Sequence, residues 1–379
     1  MTIIRHFCLL LLVASISACA PLSKIKQQNN EGENNKKIRT IEVLDVRKNT
    51  NLESILPVLI QQQVVLVGES HTSYGDHQNQ LAVIKALHPH WSKKGMGIGL
   101  EFVQSPYQKA LDDYVAGRLT DAQMLKETQW YKRWRYDFRL YREIFHYAKE
   151  NKIPLIALNA PKELTKKISK NGIAGLSAGD RRKLPKAIKA SQAYRDRLTA
   201  VYQQHSSTFH ANQKKLDNFI DVQLAWDASM AANAAKAIKS AKINKMVLLA
   251  GSGHVVRQAI PDRLNLSNVI IVNDLPEDIS QVDFLLQSGQ SELPIAGKIG
   301  IVMESSPNGV LVTSVSKLHK AGIKKGDNII SIDGINVSNS GDVKINLLDK
   351  KQGETIHIEI QRVNQASIKK IIKKNVKLF

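Results

Sequence analysis

The sequence contains little cysteine, no excess of glycine or proline, and only a short apolar run near its start. Cys8 and Cys19 are the only cysteines among 379 residues, and 21 glycines and 11 prolines are too few for a collagen-like or low-complexity chain. The apolar run over residues 7–16 is too short to span a bilayer as a stable helix. A hydrophobic fraction of 43% excludes wholesale disorder. The length allows two or three domains of about 100 to 200 residues each.

Basic side chains outnumber acidic ones. The chain has 54 lysines and arginines against 34 aspartates and glutamates, a formal net charge of +20. A field of this sign favours anionic partners such as phospholipid head groups, nucleic acid or small carboxylates. Residues 162–215 contain 13 basic and three acidic side chains, which is half of the excess, and residues 298–379 end in a basic tail.

Residues 1–19 have the features of an export signal. Arg5 precedes the apolar run, and residues 16–19 read Ile-Ser-Ala-Cys, with the small residues of a cleavage site. This tetrad resembles the bacterial lipobox, which implies a signal peptide over residues 1–18 and a lipid on Cys19. Ala20 stands where an aspartate would mark inner-membrane retention, so the resemblance implies a lipid anchor in the bacterial cell envelope, at the outer membrane. The alternative is an ordinary secretory signal with an incidental cysteine.

The segment after the signal is too polar to fold. Residues 19–39 are rich in asparagine, glutamine and lysine and cannot bury enough apolar surface to become ordered. We expect them to be a flexible tether between the lipid and a first folded domain that begins near residue 40.

Strand and helix patterns alternate over residues 40–285. Apolar β-branched runs occupy residues 64–67, 97–100, 154–158, 245–250 and 269–272, and amphipathic patterns over residues 77–87 and 219–241 predict helices. A long helical segment is expected around the aromatic-rich residues 130–141. This alternation predicts an α/β domain with a mostly parallel sheet flanked by helices, and the basic residues 162–215 form a helical insertion.

Polar side chains follow the predicted strands one after another. They are Glu69, His71, Glu101, Asn159 and His254. Because ligands of open parallel sheets bind beyond the carboxyl ends of the strands, we expect these side chains to converge there. Two carboxylates and two imidazoles suit either a divalent metal or acid–base chemistry. The alternative is that each residue only caps a helix or turn.

Two Gly-x-x-His turns add a second constraint. Gly68 and Gly251 stand where a strand ends, and His71 and His254 follow at the start of a helical pattern. The positive end of a helix disfavours a protonated imidazole, so we expect neutral rings. Residues 251–253 could instead form an anion-binding nest, although no lysine accompanies them.

These motifs in this order resemble the ChaN family of haem-binding lipoproteins in the Tiki superfamily. The resemblance rests on the paired turns, on Glu101, on residues 159–161 (Asn-Ala-Pro), and on Gln223 and Asp227. The spacing of Gln223 and Asp227 places both on one face of a helix, and we expect them to point into a shared cleft. It covers about residues 40–285. It implies haem bound at a homodimer interface, with a tyrosine ligating the iron and basic or histidine groups of the partner subunit holding the propionates.

The basic insertion contains candidates for this haem site. Tyr202 is the preferred iron ligand and Tyr194 the second, because phenolate is an established ligand of haem iron. Nearby arginines would lower the pKa of a phenol and pair with propionates. The remaining candidates are Arg195, Arg197, His205 and His210. The alternative is a solvated basic face near anionic lipid.

A similarity to Tiki-type proteins and erythromycin esterases implies a competing activity. In that interpretation Glu69, His71, Glu101 and His254 form a hydrolytic site, and a divalent metal held by them activates water. The sequence leaves open whether the protein is an enzyme. Nucleic acid is not expected as a partner, because the protein is expected to be exported and lipid-anchored.

Residues 297–379 form a second, smaller domain. Residues 298–302 and 321–334 resemble a PDZ domain, the latter reading Ala-Gly-Ile-Lys-Lys-Gly-Asp-Asn-Ile-Ile-Ser-Ile-Asp-Gly with an Asp-Gly hairpin. The resemblance implies a β-rich fold that adds a peptide to a sheet edge, with the amides of Ile299, Gly300 and Ile301 receiving a terminal carboxylate. The expected partner is a protein or peptide C-terminus. The alternative is a module that only stabilises or dimerises the chain.

Overall fold

The computed structural model describes residues 50–186, 189–205, 213–240, 243–289, 291–317, 321–363 and 369–379. The described residues from Thr50 to Phe379 belong to one unit, in which an α/β domain precedes a smaller β-rich domain. The predicted signal peptide, the lipidation site at Cys19 and the tether lie outside the described residues.

The α/β domain alternates helices and strands. Its helices are α1 (Leu52–Gln61), α2 (Tyr74–Trp91), α3 (Gln108–Val115), α4 (Asp121–Glu127), α5 (Trp130–Arg133), α6 (Arg142–Glu150), α7 (Lys162–Asn171), α8 (Ala178–Arg181), α9 (Gln192–His205), α10 (Gln213–Lys239), α11 (Ser252–Val255) and α12 (Pro261–Leu264). Its strands are β1 (Val64–Glu69), β2 (Met96–Gln104), β3 (Leu155–Asn159), β4 (Lys245–Gly251), β5 (Asn268–Val272) and β6 (Phe284–Leu285).

These strands form a parallel sheet in the order β3-β2-β4-β1-β5-β6. In β1 to β5 the valine, isoleucine and leucine side chains are buried, except for the half-buried Ile156, as is typical of parallel strands covered by helices on both faces. The predicted α/β fold with a mostly parallel sheet is confirmed. Because β4 lies between β1 and β2, the carboxyl ends of these three strands are neighbours.

Alternate side chains of β1 pack into two different cores. Val65 and Val67 join the cluster that contains Trp91 of α2. Val64 and Leu66 face the opposite way and join a cluster formed with α10 and β4. Burying an aliphatic side chain of this size contributes roughly 1.5 to 3 kcal/mol. The two helical layers therefore fix the sheet from both sides.

β2 leaves the register of the sheet near its carboxyl end. Its pairing with β4 runs from Met96 to Leu100, and its pairing with β3 shifts between Leu100 and Gln104. The sequence predicted that this strand ends at Glu101, whereas the structure continues it to Gln104. Glu101 lies in the irregular part of the strand, and bulges of this kind redirect side chains next to functional sites.

The aromatic-rich residues 130–141 do not form the long helix that their pattern predicts. α5 ends at Arg133, and α6 begins only at Arg142. Gln129 (φ 53°) and Arg135 (φ 79°) adopt the left-handed conformation, which interrupts an α-helix. Three aromatic side chains of the segment are buried in the core: Trp130, Phe138 and Tyr141.

The predicted helical insertion is α7 to α10. It has a core of its own, in which Leu164, Leu198 and Ile220 pack with Val256 from the residues after α11. Tyr194 of α9 is fully buried in this core. The insertion therefore packs against the chain that follows β4, which brings α9 and α10 close to the carboxyl ends of the strands.

The smaller domain is an antiparallel sheet with one helix. Its elements are β7 (Ile301–Ser306), β8 (Gly309–Val315), β9 (Asn328–Ile332), β10 (Ile335–Asn336), α13 (Ser340–Asn346), β11 (Thr355–Val363) and β12 (Lys369–Lys377). The strand order is β12-β11-β9-β8-β7, with β10 paired to β9. The predicted Asp-Gly hairpin joins β9 to β10, and Asp333 (φ 47°) and Gly334 (φ 79°) both adopt the left-handed conformation of a tight hairpin turn.

The two domains are in contact through α13 and the residues after it. α13 packs against α4 and α5. Leu348 is buried in the core cluster of the α/β domain, and Arg142 Nη2 donates to Asp349 Oδ1 at 2.5 Å. No helix in the described part of the chain is both long enough and apolar enough to cross a membrane.

Candidate functional site at the carboxyl ends of the parallel strands

Four of the predicted residues meet beyond β1, β2 and β4. Glu69 ends β1 and His71 lies two residues later, Glu101 lies in β2, and His254 belongs to α11, directly after β4. The contacts described below join Glu69 to His71, and they join Glu101, His254 and Asp227 of α10 to one another; both groups meet at Gly251. The predicted convergence of these four side chains is therefore observed, and we refer to these five residues as the strand-end cluster.

The first pair in the cluster joins Glu69 and His71. His71 Nδ1 donates to Glu69 Oε1 at 2.6 Å. The second oxygen, Oε2, lies 3.6 Å from Nε2 of the buried His77 on α2. The Glu69 side chain is itself fully buried. A buried carboxylate is stable only when its charge is compensated. The hydrogen bond from His71 compensates Glu69, while Oε2 has no hydrogen-bond partner among the described residues.

The second pair joins Asp227 and His254. His254 Nδ1 donates to Asp227 Oδ1 at 2.5 Å, and the Tyr194 hydroxyl donates to Asp227 Oδ2 at 2.7 Å. His254 Nε2 lies 3.6 Å from Glu101 Oε1, while the Gly251 amide donates to Glu101 Oε2 at 2.7 Å. Both oxygens of Asp227 thereby accept hydrogen bonds, and Glu101 links the second pair to the end of β4.

Neighbouring carboxylates make both imidazoles more basic. Burial disfavours the charged ring of His254, but the charges of Glu101 and Asp227 and the hydrogen bond to Asp227 outweigh burial and raise its pKa to about 9. Burial also opposes protonation of His71, yet Glu69 raises the pKa of that ring above its ordinary value. The expectation of a neutral ring was wrong for His254, and the pKa of His71 shifts in the direction opposite to the expected one, because adjacent carboxylates act more strongly than the end of a helix.

Both imidazoles keep one nitrogen free of a carboxylate hydrogen bond. A carboxylate accepts a hydrogen bond from each Nδ1, so Nε2 is the nitrogen that can exchange a proton with a ligand. Gly251 allows the His71 ring to lie against the backbone, because a Cβ at this position would stand 2.8 Å from His71 Cε1. Two carboxylate–imidazole pairs beside one strand end can act as general acids and bases.

The metal interpretation of the cluster receives no support from this geometry. Within the described ranges, no three histidine, cysteine, aspartate or glutamate side chains are arranged to hold a metal ion. The carboxylate oxygens contact ring nitrogens, a tyrosine hydroxyl and a backbone amide. A metal held by Glu69, His71, Glu101 and His254 stays a prediction.

Aromatic side chains line the cluster on both sides. The ring centroids of Trp134 and Tyr136 lie 4.7 and 4.9 Å from that of His71. The Trp226 ring lies 6.0 Å from His254 in an edge-to-face arrangement. The aromatic segment therefore contributes both to the core and to the wall of the site, which limits the access of water to the imidazoles.

Two further predicted cleft residues do not join the cluster. Asn159 lies at the end of β3, beside Gln104 rather than beside β4, and its Oδ1 accepts from the amide of Ala160. Gln223 is half-buried on α10, one turn before Asp227, and no hydrogen bond connects it with the cluster in the described residues. Of the predicted helical pair, only Asp227 reaches the site.

The structure places the two tyrosine candidates for the haem ligand in different environments. Tyr194 is fully buried, and burial and Asp227 raise the pKa of its phenol, although Arg263 and Arg197 lie over its ring at 4.5 and 5.4 Å. Both arginines lower the pKa of the Tyr194 phenol as expected, but burial and Asp227 outweigh them, so the net shift is upward. Its role in the structure is to hold Asp227.

The other haem-site candidates lie along or after α9. Tyr202 is half-buried, with its ring 5.2 Å from that of Phe219. Arg195 pairs with Asp217 at 2.5 Å, and Arg197 Nη1 donates to the carbonyl of Gly253 at 3.2 Å. The candidates outside the described residues are His210 and the side chain of His205.

Sequence reasoning missed two side chains near the cluster. His77 contacts Glu69. The sequence could have indicated this residue, because it is a histidine in the first turn of the helix that follows β1. Arg263 lies over the ring of Tyr194 from α12. No local signal predicted that contact, because the two residues are distant in the sequence.

The predicted carboxylate-binding loop of the smaller domain precedes its edge strand. Ile299 is buried in the core of that domain, Gly300 has φ 78°, and Ile301 begins β7. In the described residues β7 pairs only with β8, so its other side is a free sheet edge. A free edge next to a glycine loop is the arrangement that the PDZ resemblance implies.

Comparison with known proteins supports both domains. The family model of haem-binding uptake proteins of the Tiki superfamily, ChaN, matches residues 55–264, and the PDZ-domain model matches residues 297–373. No curated protein matches the chain. A solved structure titled "Cofacial heme binding to ChaN of Campylobacter jejuni" is similar over 62% of this chain and 90% of that chain, with 19% identity and a TM-score of 0.52.

Two further solved structures are similar over a smaller part of the chain. An aminopeptidase N family protein from Idiomarina loihiensis shares 26% identity over 24% of this chain and 15% of its own, with a TM-score of 0.20. The PDZ domain of a carboxy-terminal protease from Vibrio cholerae, in complex with a peptide, shares 15% identity over 22% of this chain and 96% of its own, with a TM-score of 0.18.

The raised pKa of His254 predicts that the folding stability depends on pH. The folded-state pKa of about 9 exceeds the ordinary value of 6.5. The stabilisation by the charged ring is therefore complete below about pH 6.5 and is lost as the pH rises to about 9. Urea unfolding followed by circular dichroism should show that the stability advantage of wild type over His254→Gln falls by roughly 1 to 3 kcal/mol across this range.

The matched control for this measurement is His90→Gln, which removes an exposed imidazole from α2. Its unfolding free energy should run parallel to that of wild type at every pH. Parallel curves for wild type and His254→Gln would contradict the assignment of a charged His254.

Proposed function

Because this chain belongs to the ChaN family of haem-binding uptake proteins in the Tiki superfamily, we propose that it takes up haem or iron at the bacterial cell envelope as a lipid-anchored protein of the outer membrane. Its α/β domain is a haem-binding domain, and its C-terminal domain is a PDZ domain. We propose that the PDZ domain recruits a protein partner through that partner's C-terminus. The observation that carries the proposal is the family match across residues 55–264.

Tyr202 fits the iron ligand best among the described tyrosines of the insertion. Its side chain is only half-buried and packs against the ring of Phe219, whereas Tyr194 is enclosed and already bonded to Asp227. Haem, when bound, supplies an iron centre that a phenolate can ligate. The excess of lysine and arginine over residues 162–215 can pair with the propionates.

We propose that two copies of the chain hold the haem between them. The related structure from Campylobacter jejuni concerns cofacial haem binding. A half-buried tyrosine with a neighbouring aromatic ring leaves one side of a haem open, and a second copy would cover that side. Binding should then depend on protein concentration, because haem and partner stabilise the same assembly.

Titration of the protein without residues 1–19 with haemin should produce a Soret band and a shift to the dimer in size-exclusion chromatography. Tyr202→Phe removes the phenolate and should weaken haem binding roughly ten- to a hundredfold. Tyr194→Phe is the matched control, and its absorption spectrum with haem should remain that of wild type.

Each contrary outcome of this titration has a defined meaning. If Tyr194→Phe and not Tyr202→Phe changes the spectrum, the ligand assignment is wrong. If haemin produces neither a Soret band nor a dimer, the proposal of haem uptake fails for this chain.

The proposed location rests on Cys19 and the basic surface. Cys19→Ser removes the acceptor of the lipid, while Cys8→Ser changes only a residue of the signal peptide. In fractionated cells, Cys19→Ser protein should move from the membrane to the soluble fraction, and Cys8→Ser protein should stay in the outer membrane. Equal fractionation of both variants would contradict lipid anchoring.

A second candidate function is hydrolysis at the strand-end cluster. The observation that favours it is the presence of two carboxylate–imidazole pairs next to one strand end, His71 with Glu69 at 2.6 Å and His254 with Asp227 at 2.5 Å. One pair can remove a proton from water while the other donates a proton to a leaving group. Iron ligation by a tyrosine gives no reason for two carboxylate–imidazole pairs at the strand ends.

Hydrolysis should be measured with p-nitrophenyl esters on the purified protein. The double variant His71→Ala/His254→Ala should lower kcat/KM roughly a hundredfold or more, since both acid–base groups are lost, while haemin binding stays at the wild-type level. In wild type, kcat/KM should increase as the pH approaches 9, because the free base of His254 forms there. Turnover that is equal in wild type, the double variant and the His90→Ala control would contradict this function.

A further inference from the structure

A cavity of about 530 Å³ lies along the free edge of the PDZ sheet, and both domains line it. The PDZ side consists of the loop before β7, the first residues of β7 and part of α13. The opposite side comes from the α/β domain, between α5 and the 3-10 turn before α6. Val302 of β7 is 62% exposed, so the edge strand is accessible from the cavity. The α/β residues that line the cavity are Tyr131, Arg135, Asp137 and Arg139.

The charges in this cavity do not balance. Asp137 is neutralised by Arg139, which donates from Nε at 3.1 Å and from Nη2 at 2.5 Å, and Arg139 Nη1 also donates to the carbonyl of Pro294. Arg135, Lys298 and Lys344 also line the cavity, and in the described residues none of them forms an ion pair with a carboxylate. The cavity therefore presents three uncompensated positive charges.

Arg135 adopts a backbone conformation that an arginine disfavours. Its φ is 79°, and its amide donates to the carbonyl of Trp130 at 3.1 Å, just after the end of α5. Glycine is the usual residue at such a helix end, because a Cβ is strained in the left-handed region. Residues with a disfavoured backbone conformation are concentrated at functional sites, where the surrounding structure holds them in place.

Lys344 extends the positive surface across the cavity. It belongs to α13, and its Nζ lies 5.1 Å from the centroid of the Tyr131 ring. Its charge is thereby placed above an aromatic side chain of the α/β domain. The cations of the two domains thus line one groove, and together they form a surface that an isolated PDZ domain would lack.

We propose that this groove binds the C-terminal segment of a partner protein that has acidic side chains just before an apolar terminal residue, and that Arg135 of the α/β domain recognises those acidic side chains. The proposal rests on the partner-recruiting function proposed above for the PDZ domain. The peptide adds to the free edge of β7, with its terminal carboxylate at the loop around Gly300. Side chains on alternate positions then face the α/β wall, where Arg135 and Lys344 provide charge-assisted hydrogen bonds.

The test uses the full chain without residues 1–19 and two fluorescein-labelled peptides. Both peptides end in valine with a free carboxylate, and they differ only in carrying glutamates or glutamines at the positions before it. Fluorescence anisotropy should give a Kd about three- to tenfold lower for the glutamate peptide, and raised salt should reduce the difference. Arg135→Gln should bring the two Kd values together by weakening only the glutamate peptide.

Two variants separate recognition from folding and from general charge. Arg135→Gly relieves the left-handed strain, so it should keep or raise the midpoint of thermal unfolding and still lose the glutamate preference. Lys132→Gln makes the same change of charge on α5 at a residue that does not line the cavity, and it should keep the preference. A C-terminally amidated glutamate peptide should bind more weakly than the free acid, which ties binding to the carboxylate loop.

The results distinguish this inference from the proposed function. If both peptides bind equally well, or if Arg135→Gln keeps the glutamate preference, the role of Arg135 is refuted and peptide recruitment stands. If neither peptide binds, recruitment by the PDZ domain fails together with the inference. Haem binding by the same sample reports independently on the α/β domain.

Discussion

A carboxylate that leaves water costs several kcal/mol unless other groups compensate its charge, and the α/β domain buries three of them, Glu69, Glu101 and Asp227, around the end of β4. Compensation determines the surrounding structure. Glu69 and Asp227 each orient a histidine through Nδ1, and Glu101 takes a backbone amide at the end of β4. Asp227 also requires the hydroxyl of Tyr194, so α9 has to pack beside α10. The helical insertion is therefore part of the site.

Local pattern predicted the strands and the residues that follow them, because apolar β-branched runs and the turns after them involve neighbouring residues. The relative order of the strands depends on distant pairings, such as that of Glu101 with the amide of Gly251, which are 150 residues apart. The protonation of the histidines was predicted in the wrong direction for the same reason. The effect of a helix end can be read from sequence, whereas the effect of Asp227 on His254 depends on a contact between distant elements.

The two tyrosines show the same limit for the haem site. Both occur in one predicted helix, and the sequence ranked Tyr202 first without indicating that Tyr194 would be buried. In the folded chain Tyr194 faces the inner core and Asp227, while Tyr202 lies two turns further along α9, at its outer part. Burial raises the pKa of the Tyr194 phenol against the influence of two arginines. An iron ligand must be reachable and able to ionise, and only the position in the fold separates the two candidates.

The short segment between α5 and α6 belongs to two sites at once. Trp134 and Tyr136 pack against His71 of the strand-end cluster, while Arg135 between them lines the groove of the PDZ domain. The left-handed backbone at Arg135 interrupts the helix and lets consecutive side chains serve different surfaces. A peptide in the groove and a ligand at the strand ends would therefore contact adjacent residues of one segment. If the bound peptide changes the Kd of that ligand by some factor, thermodynamic linkage requires the bound ligand to change the Kd of the peptide by the same factor.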